Sequence, residues 1–473
     1  MRAKVVASIV GKFLKVFSLI IAVPIPIGLY YGESFTVLQG FLSASITCFL
    51  LGLILVRTGQ YREPSVSEAL GSTIVGWLLA ILLSSIPLMV ELDFTNAVFE
   101  STAGLTTTGI SMVLAPEQLP QSLLFWRSLI QWVGGLGVLT FFIAVIRESG
   151  GISRKLFSAE THKTDPGSIR PSLKKSIVEL WKVYIFITVF MSAVYFALGM
   201  PVFDSVVHSF SGISTGGYST NADSFASYGM DIQLVTVVLM LLGGMNFVII
   251  HKLLSRDRSA FKNSELRLYL KIFAAFALLI TLDLARDGFA FQNLVDGIFQ
   301  SAALISSTGH STMSLMTLST VLQMLVIGVM FVGGSLGSTG GGVKIFRLKT
   351  MIELSKTRLR AYSLPDTAIN EVKIDGEILD NSTIRTVSVL FFIWVVIVFT
   401  SAASIVAIED VEMSEALSST VSASGNMGPV LMEDDEVVGL HHSTKLILMF
   451  LMLAGRLEML PLLAIFNRRF LAR

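Results

Sequence analysis

A short phrase of small hydroxyl residues and glycine recurs four times along this chain. Each copy follows a short, weakly amphipathic stretch and precedes a long apolar run. The copies are Thr106-Thr107-Thr108-Gly109, Ser214-Thr215-Gly216-Gly217, Ser306-Ser307-Thr308-Gly309 and Ser422-Ala423-Ser424-Gly425. Four copies of one turn predict four loops of similar backbone around a common axis. Such a ring of carbonyl oxygens can replace the water shell of a cation.

The composition places these turns in a membrane protein. Of the 473 residues, 53% are hydrophobic and 15% are charged, whereas a soluble domain carries about 25% charged residues. Apolar runs of roughly 20 residues, the length that crosses a bilayer, recur along the chain. The single cysteine excludes a disulfide framework, and the scattered histidines form no metal-binding or nucleophile–base pattern. We therefore do not expect an enzyme.

We predict an all-α membrane protein with ten transmembrane helices, two at the N-terminus and two in each of four repeats. A repeat has a first apolar helix, a short helix that ends in the recurrent turn, and a second apolar helix. The predicted units are the N-terminal pair 1–62 and the repeats 63–165, 166–262, 263–360 and 361–473. The short helices are expected near 95–106, 203–214, 294–306 and 412–422, and the second helices near 121–147, 230–254, 318–350 and 442–466.

Basic residues concentrate in loops on one side of this predicted topology. Those loops are 57–68, 147–175, 251–271 and 344–384, and the opposite side is rich in acidic residues. Because basic loops stay in the cytoplasm, both termini are expected inside and the four turns near the outer face.

The recurrent turns are expected to line a pore. Irregular backbone survives at membrane depth only where it is buried in protein or lines water. Four short helices would point their C-terminal ends at the axis, each with a partial negative charge of about half a unit, which favours a monovalent cation. The expected filter ligands are backbone carbonyls of Thr107, Thr108, Gly109, Thr215, Gly216, Gly217, Ser307, Thr308, Gly309, Ala423, Ser424 and Gly425.

A glycine-rich stretch interrupts the second helix of the third repeat. It reads GGSLGSTGGG from Gly333 to Gly342, and each glycine within a helix costs about 1 kcal/mol relative to alanine. One interpretation is close helix packing with kinks. The favoured interpretation is a gating loop next to the filter. Its residues are Gly333, Gly334, Gly337, Ser338, Thr339, Gly340, Gly341 and Gly342. A phosphate-binding loop is rejected because Val343 occupies the lysine position.

Two arginines within the apolar helices and one histidine directly after the third turn have two interpretations each. Arg456 either binds carbonyls or acids on a neighbouring helix or faces the pore as part of the gate. Arg127 either pairs with Glu100 or extends to the outer interface. His310 either caps its turn or faces the pore entrance, where its protonation would repel cations.

The helix–pore–helix repeat, the four turns, and the phrases FWRSLIQWVGGLG, GGSLGSTGGGVK and AGRLEMLP resemble the Trk/Ktr/HKT superfamily of cation transporters. The two extra N-terminal helices resemble its TrkH-type bacterial branch. The resemblance implies potassium uptake across the bacterial inner membrane, with a potassium ion in the filter and no other bound cofactor. It also implies a homodimer and a cytoplasmic regulatory subunit of the TrkA type that carries a nucleotide, ATP/ADP or NAD. In that family, glycine in all four turns goes with a potassium preference.

The sequence is compatible with two other functions. The same fold serves sodium-selective transporters and sodium- or proton-coupled symporters. An intramembrane lipid-modifying enzyme would need acids, histidines or metal ligands at one depth, and the sequence offers no such set.

Overall fold

The computed structural model describes residues 2–148, 173–286, 288–363, 365, 371–457, 459 and 462. These residues are mostly helical, and a small antiparallel hairpin pairs Lys373–Ile374 with Glu377–Ile378. The predicted all-α class is confirmed.

The N-terminal pair comprises Ala3–Ala22 with Pro24–Tyr30, and Phe35–Thr58. The first helix is interrupted at Val23, because Pro24 has no amide hydrogen to donate and starts a new helix. The two helices approach closely at Gly11 and Gly52, where a Cβ on either glycine would lie within 3.0 Å of the other helix's backbone. Small residues permit such contacts between helices in lipid.

The four repeats follow in order, and each contains the three kinds of helix. The first helices are Val66–Leu88, Leu173–Ala197, Ser264–Leu284 and Asn381–Ile408. The short helices are Phe94–Leu105, Val202–Ile213, Phe291–Ser306 and Met413–Gly425. The second helices are Gln121–Glu148, Met230–Gly243 with Phe247–Leu254, Thr320–Val332, and His442–Arg456. Short helical segments Pro116–Gln118, Arg258–Lys262, Leu315–Thr317 and Asp434–Gly439 lie between them, and Ile345–Ala361 follows the third.

The second helices of repeats 2 and 3 are broken. In repeat 2 the chain bends by 114° between Met230–Gly243 and Phe247–Leu254, and Asn246 caps the new helix by accepting from the Val248 amide. In repeat 3 the helix ends at Val332, and the chain is non-helical until Ile345. An uninterrupted helix over 230–254 is therefore wrong, whereas in repeat 3 the helix predicted over 318–350 is broken at the glycine-rich stretch, where the sequence predicts an irregular segment. In both repeats glycines lie at the break.

Among the described residues, five helices are long and apolar enough to cross a membrane by themselves. They are Ala3–Tyr30, Phe35–Thr58, Ser67–Leu88, Val178–Ala197 and Asn381–Ile408, and the bent pair of repeat 2 would make a sixth. The predicted number of ten is therefore not confirmed. The remaining apolar helices are shorter, broken or interrupted by polar residues.

The short helices lie in the interior and the first helices at the periphery. Phe99 and Phe299 on short helices are fully buried, whereas Phe392 on the first helix of repeat 4 is 69% exposed. This outward-facing apolar surface is typical of a protein surrounded by lipid. The recurrent turns are consequently held at the centre.

Candidate functional site: a ring of four turns and an adjoining loop

The four turns share one backbone conformation. Their first residues have a left-handed φ between 49° and 57°, and these are Thr107, Thr215, Ser307 and Asn426. Two residues later each turn has a glycine with a positive φ between 81° and 101°, and these are Gly109, Gly217, Gly309 and Gly428.

Each turn closes its short helix with the same hydrogen bond. The amide of the middle residue donates to the carbonyl five residues earlier, as Thr108 does to Ala103 at 2.8 Å and Met427 to Ser422 at 2.9 Å. A bond of this span after a left-handed residue is the usual Schellman ending of a helix. The recurrent phrase thus encodes a helix end as well as a turn.

The turns contact one another in cyclic order. A Cβ at Gly109 would lie within 3.0 Å of the Gly216 carbonyl oxygen of repeat 2. Equivalent contacts join repeat 2 to 3, repeat 3 to 4 and repeat 4 back to 1, namely Gly217 with Thr308, Gly309 with Met427 and Gly428 with Thr108. These contacts form a closed ring of residues 107–109, 215–217, 307–309 and 426–428.

The fourth turn lies three residues later than predicted from the sequence. Ala423, Ser424 and Gly425 belong to the last turn of the short helix Met413–Gly425, and the Ser424 hydroxyl donates back to the Thr420 carbonyl at 2.6 Å. Hydroxyl-to-backbone bonds of this kind occur inside helices. The turn itself is Asn426-Met427-Gly428.

The correct register had a signal in the sequence. Asparagine is the residue other than glycine that best tolerates the left-handed region, and it stands at position 426. Pro429 follows Gly428 directly, and proline is common just after a helix end.

The other three left-handed positions carry β-branched or hydroxyl side chains at a cost of about 1–2 kcal/mol each. The Thr215 hydroxyl donates to the Ser214 carbonyl at 2.6 Å, and the Ser307 hydroxyl to the Ser306 carbonyl at 2.7 Å. The Thr107 hydroxyl is buried and has no hydrogen-bond partner among the described residues. Backbone strain of this kind persists where the surroundings enforce it, as they do at binding sites.

An ion pair lies behind the first two turns. The Arg127 Nε lies 2.8 Å from the Glu100 carboxylate, and both side chains are buried. The same carboxylate accepts from the Met112 amide at 2.6 Å, and the guanidinium lies over the Tyr218 ring at 4.2 Å. The predicted Arg127–Glu100 pair is confirmed, and the alternative in which Arg127 extends to the interface is wrong.

Gln131 supports the second turn and was missed from the sequence. Its Nε2 donates to the Gly216 carbonyl at 2.6 Å, and its Oε1 accepts from the Tyr218 amide at 3.3 Å. A buried amide on an apolar helix must find such partners. The isolated polar residue between apolar neighbours was the available signal.

His310 is buried beside the third turn. Its Nε2 lies 3.2 Å from the Ser211 hydroxyl, and its ring centroid lies 4.8 Å from that of Phe225. The side chain is fully covered by protein, so it does not face an open entrance in this structure.

The glycine-rich loop, residues 333–344, lies against the ends of three short helices. The Thr339 hydroxyl donates to the Ile213 carbonyl of repeat 2 at 2.9 Å, and the Gly341 amide donates to the Ser307 hydroxyl of repeat 3 at 2.8 Å. A Cβ on Gly341 would lie within 3.0 Å of the Gly425 carbonyl of repeat 4. The loop is non-helical from Gly333 to Lys344 and contacts the ends of these short helices. A kinked helix therefore does not describe it.

Arg456 ties this loop to repeat 1. Its Nη1 donates to the Thr339 carbonyl at 2.7 Å, and its Nη2 donates to the Gly134 and Gly135 carbonyls at 2.5 and 2.8 Å. Arg456 thus binds carbonyls, and one of them belongs to the glycine-rich loop. Together the loop and Arg456 contact all four repeats.

The site therefore offers oxygen ligands and no reactive group. Within the described ranges, no three His, Cys, Asp or Glu residues come together in a way that could hold a metal ion. Carbonyl and hydroxyl oxygens in a buried ring are suited to binding and releasing a dehydrated cation.

Comparison with known proteins agrees with this chemistry. The family described as TrkH, cation transport protein, matches residues 37–284 and 289–470. The chain is 28% identical over 488 residues to the Trk system potassium uptake protein TrkH of Salmonella typhimurium, with 99% of each chain covered. It is 28% identical over 465 residues to an uncharacterized cation transporter of Methanocaldococcus jannaschii, with 97% of this chain and 94% of that one covered.

A solved structure has the same architecture. The crystal structure of the potassium transporter TrkH from Vibrio parahaemolyticus superimposes with a TM-score of 0.87 at 25% identity, covering 99% of this chain and 100% of that one. With the family matched over nearly the whole length, the chain belongs to the TrkH family of cation transport proteins, and it is a transporter rather than an enzyme.

Proposed function

We propose that this chain takes up potassium across the cytoplasmic membrane through a central pore that is narrowest at the ring of four turns. The observation that carries the proposal is the cyclic contact between glycines and carbonyls, from Gly109 to Gly216 and finally from Gly428 to Thr108. The Salmonella and Vibrio relatives are named for potassium uptake and potassium transport, which supports the choice of ion.

The proposed filter ligands are backbone carbonyls of the ring. In repeats 1 to 3 they come from residues 107–109, 215–217 and 307–309, and in repeat 4 from 426–428 in place of 423–425. The C-terminal ends of four short helices add partial negative charge. A dehydrated potassium ion can exchange its water ligands for such carbonyls, and selectivity over sodium depends on the size and ligand field of the ring.

The glycine-rich loop and Arg456 are proposed as the gate, closed in this conformation. Arg456 makes three hydrogen bonds to carbonyls, and bonds to charged groups contribute about 1.5–3 kcal/mol each. Opening the loop breaks the bond to the Thr339 carbonyl and the loop's own bonds to the Ile213 carbonyl and the Ser307 hydroxyl, which requires free energy from elsewhere.

A cytoplasmic regulatory subunit of the TrkA type, carrying ATP/ADP or NAD, is the proposed source of that free energy. The helix Ile345–Ala361 continues directly from the loop and ends with Arg358 and Arg360 in its last turn. A partner that moves this helix would move the loop with it. We also propose a homodimer in the bacterial inner membrane with both termini cytoplasmic.

Uptake into proteoliposomes tests the ion pathway. Wild type should take up ⁸⁶Rb⁺, with potassium as a stronger competitor than sodium, and should restore growth at low potassium in a strain lacking its own uptake systems. Equal or faster sodium uptake would favour the sodium-selective alternative. Adding the regulatory subunit with each nucleotide in turn tests the proposed partner by the change in uptake rate.

A glycine pair provides the matched control. Gly109→Ala places a Cβ against the Gly216 carbonyl at a backbone φ of 82°. Gly328→Ala adds a Cβ to a helix where nothing lies within 4 Å. The first change should abolish discrimination between rubidium and sodium and the second should not. Equal discrimination in both variants would contradict a filter at the ring.

A further inference from the structure

The ring has four contacts between neighbouring turns, here called joints. At one of these joints the two repeats are not consecutive in the chain. Chain order links repeat 1 to 2, 2 to 3 and 3 to 4, but repeat 4 meets repeat 1 only through non-covalent contacts. Gly428 lies against the Thr108 carbonyl at this joint. The joint between repeats 4 and 1 is hereafter the seam.

Asn426 crosses the seam with its side chain. Its Nδ2 donates to the Thr108 hydroxyl at 2.9 Å and to the Met452 carbonyl, also at 2.9 Å. Thr108 belongs to the first turn, and Met452 lies on the helix that carries Arg456, one helical turn before it. One amide group therefore joins the fourth turn, the first turn and the second helix of repeat 4.

The corresponding residues of the other turns cannot make this connection. Thr107, Thr215 and Ser307 occupy the same left-handed position, but a hydroxyl has one hydrogen to donate and an amide has two. The orientation of the Asn426 amide is also determined, because the Met452 carbonyl can only accept and must face Nδ2 rather than Oδ1.

The oxygen of this amide, Asn426 Oδ1, is buried beside the helix His442–Arg456. Asn426 Oδ1 has no hydrogen-bond partner within the part of the chain that the structure describes. A Cβ on Gly455 would lie 2.7 Å from it, so the helix backbone packs directly on the amide. An unpaired buried acceptor is unfavourable, and it persists here because the two Nδ2 bonds fix the side chain.

We propose that Asn426 is a positioning residue for ion selectivity, which sets the distance between the first and fourth turns by holding Thr108 against the second helix of repeat 4. The inference rests on the proposed cation filter. Without the amide, Thr108 and Gly428 can separate at the seam. The ring then accommodates cations of different size with less discrimination.

Asn426→Gly isolates the side chain from the backbone. The residue has φ 49° and ψ 55°, a conformation that glycine adopts without strain. The two lost hydrogen bonds predict a fall of about fivefold or more in the ratio of ⁸⁶Rb⁺ to ²²Na⁺ uptake in proteoliposomes. Asn293→Ala is the control, because the Asn293 amide also bonds two carbonyls, those of Leu284 and Gly288, roughly 20 Å along the helix from the third turn.

The results separate this inference from the proposed function. A selective wild type and control, with an unselective Asn426→Gly, support it. An Asn426→Gly protein with the wild-type ratio overturns it, even if both uptake rates fall together, and leaves the potassium filter standing. A wild type that does not discriminate overturns both. If Asn426→Gly does not give a monodisperse protein, Asn426→Ser decides by the same ratio, since its hydroxyl has one hydrogen and cannot make both bonds.

Discussion

The register of the fourth turn can be tested with two alanine substitutions only three residues apart. Gly425 is buried and Gly428 is half-buried, both lie near the ring, and both sit in a sequence that resembles the other turns. If the turn is Asn426-Met427-Gly428, a methyl group at 428 should disturb the filter and a methyl group at 425 should not.

The magnitudes follow from the backbone at each position. Gly428 has φ 101°, and an added Cβ would lie 2.9 Å from the Thr108 carbonyl oxygen. Alanine in such a conformation costs about 1–3 kcal/mol, and the contact is with backbone that cannot turn away. Since 1.4 kcal/mol corresponds to a factor of ten in an equilibrium, we expect the ratio of rubidium to sodium uptake to fall about tenfold.

Gly425 is helical, so alanine is favoured there by about 1 kcal/mol of helix propensity. Its Cβ would lie 3.0 Å from Met427 Cγ, part of a flexible side chain, and 3.4 Å from the Met330 carbonyl. Small side-chain movement can relieve this contact. Selectivity should stay within about twofold of wild type, because the helix propensity gain offsets much of the crowding.

The assay is uptake of ⁸⁶Rb⁺ and ²²Na⁺ by the same proteoliposome preparation, with thermal unfolding as a check on folding. The observed register would be refuted if Gly425→Ala lost selectivity while Gly428→Ala kept the wild-type ratio of rubidium to sodium uptake. The register predicted from the sequence would then be the correct one.

Other contacts give further predictions. Arg456→Ala should raise uptake without a regulator about tenfold, since the charged bond from Arg456 to the Thr339 carbonyl of the loop is lost, whereas exposed Arg286→Ala should leave it unchanged; an unaltered Arg456→Ala rate would exclude the gate. Arg127→Met should destabilise the protein by about 3–5 kcal/mol, because the Glu100 charge is left buried, and the double change with Glu100→Gln should recover part of it in thermal unfolding. Thr339→Val removes the donor to the Ile213 carbonyl. Because the closed loop then loses the free energy of about one hydrogen bond, uptake without a regulator should rise a few-fold. A lower rate would contradict a loop that closes the pore.

The repeats and the central turns could be predicted because each is encoded locally. A helix end followed by a left-handed residue and a glycine leaves a short phrase, and in three repeats that phrase gave the right register. In repeat 4 the helix itself ends in Ser424 and Gly425, which imitate the phrase, and the true turn uses asparagine and methionine instead.

Of the two breaks in the second helices, the local sequence predicts only one. Six glycines within residues 333–342 predicted an irregular segment in repeat 3. The bend in repeat 2 was missed, because Gly243 and Gly244 are no more than a helix in lipid often contains. What bends the chain there is tertiary contact, since the Gly243 and Gly244 carbonyls accept from the amides of Thr339 and Ser335.

Specific side-chain partners that lie in different repeats could not be predicted. Gln131 and Gly216 are 85 residues apart, and Asn426 and Thr108 are 318 apart. Their hydrogen bonds exist because four repeats close into a ring, and no local pattern records which faces meet.

The bend in repeat 2 has a consequence for how water enters the molecule. At the bend, the Gly243 and Gly244 carbonyls accept hydrogen bonds from two amides of the glycine-rich loop. A buried acceptor that is left unpaired costs about 1–3 kcal/mol. When the loop moves away as proposed, both acceptors lose their donors at once and must be solvated. Unblocking of the pore and hydration of these two carbonyls are then a single step, and an ion arriving from the filter regains its water shell where the loop had been.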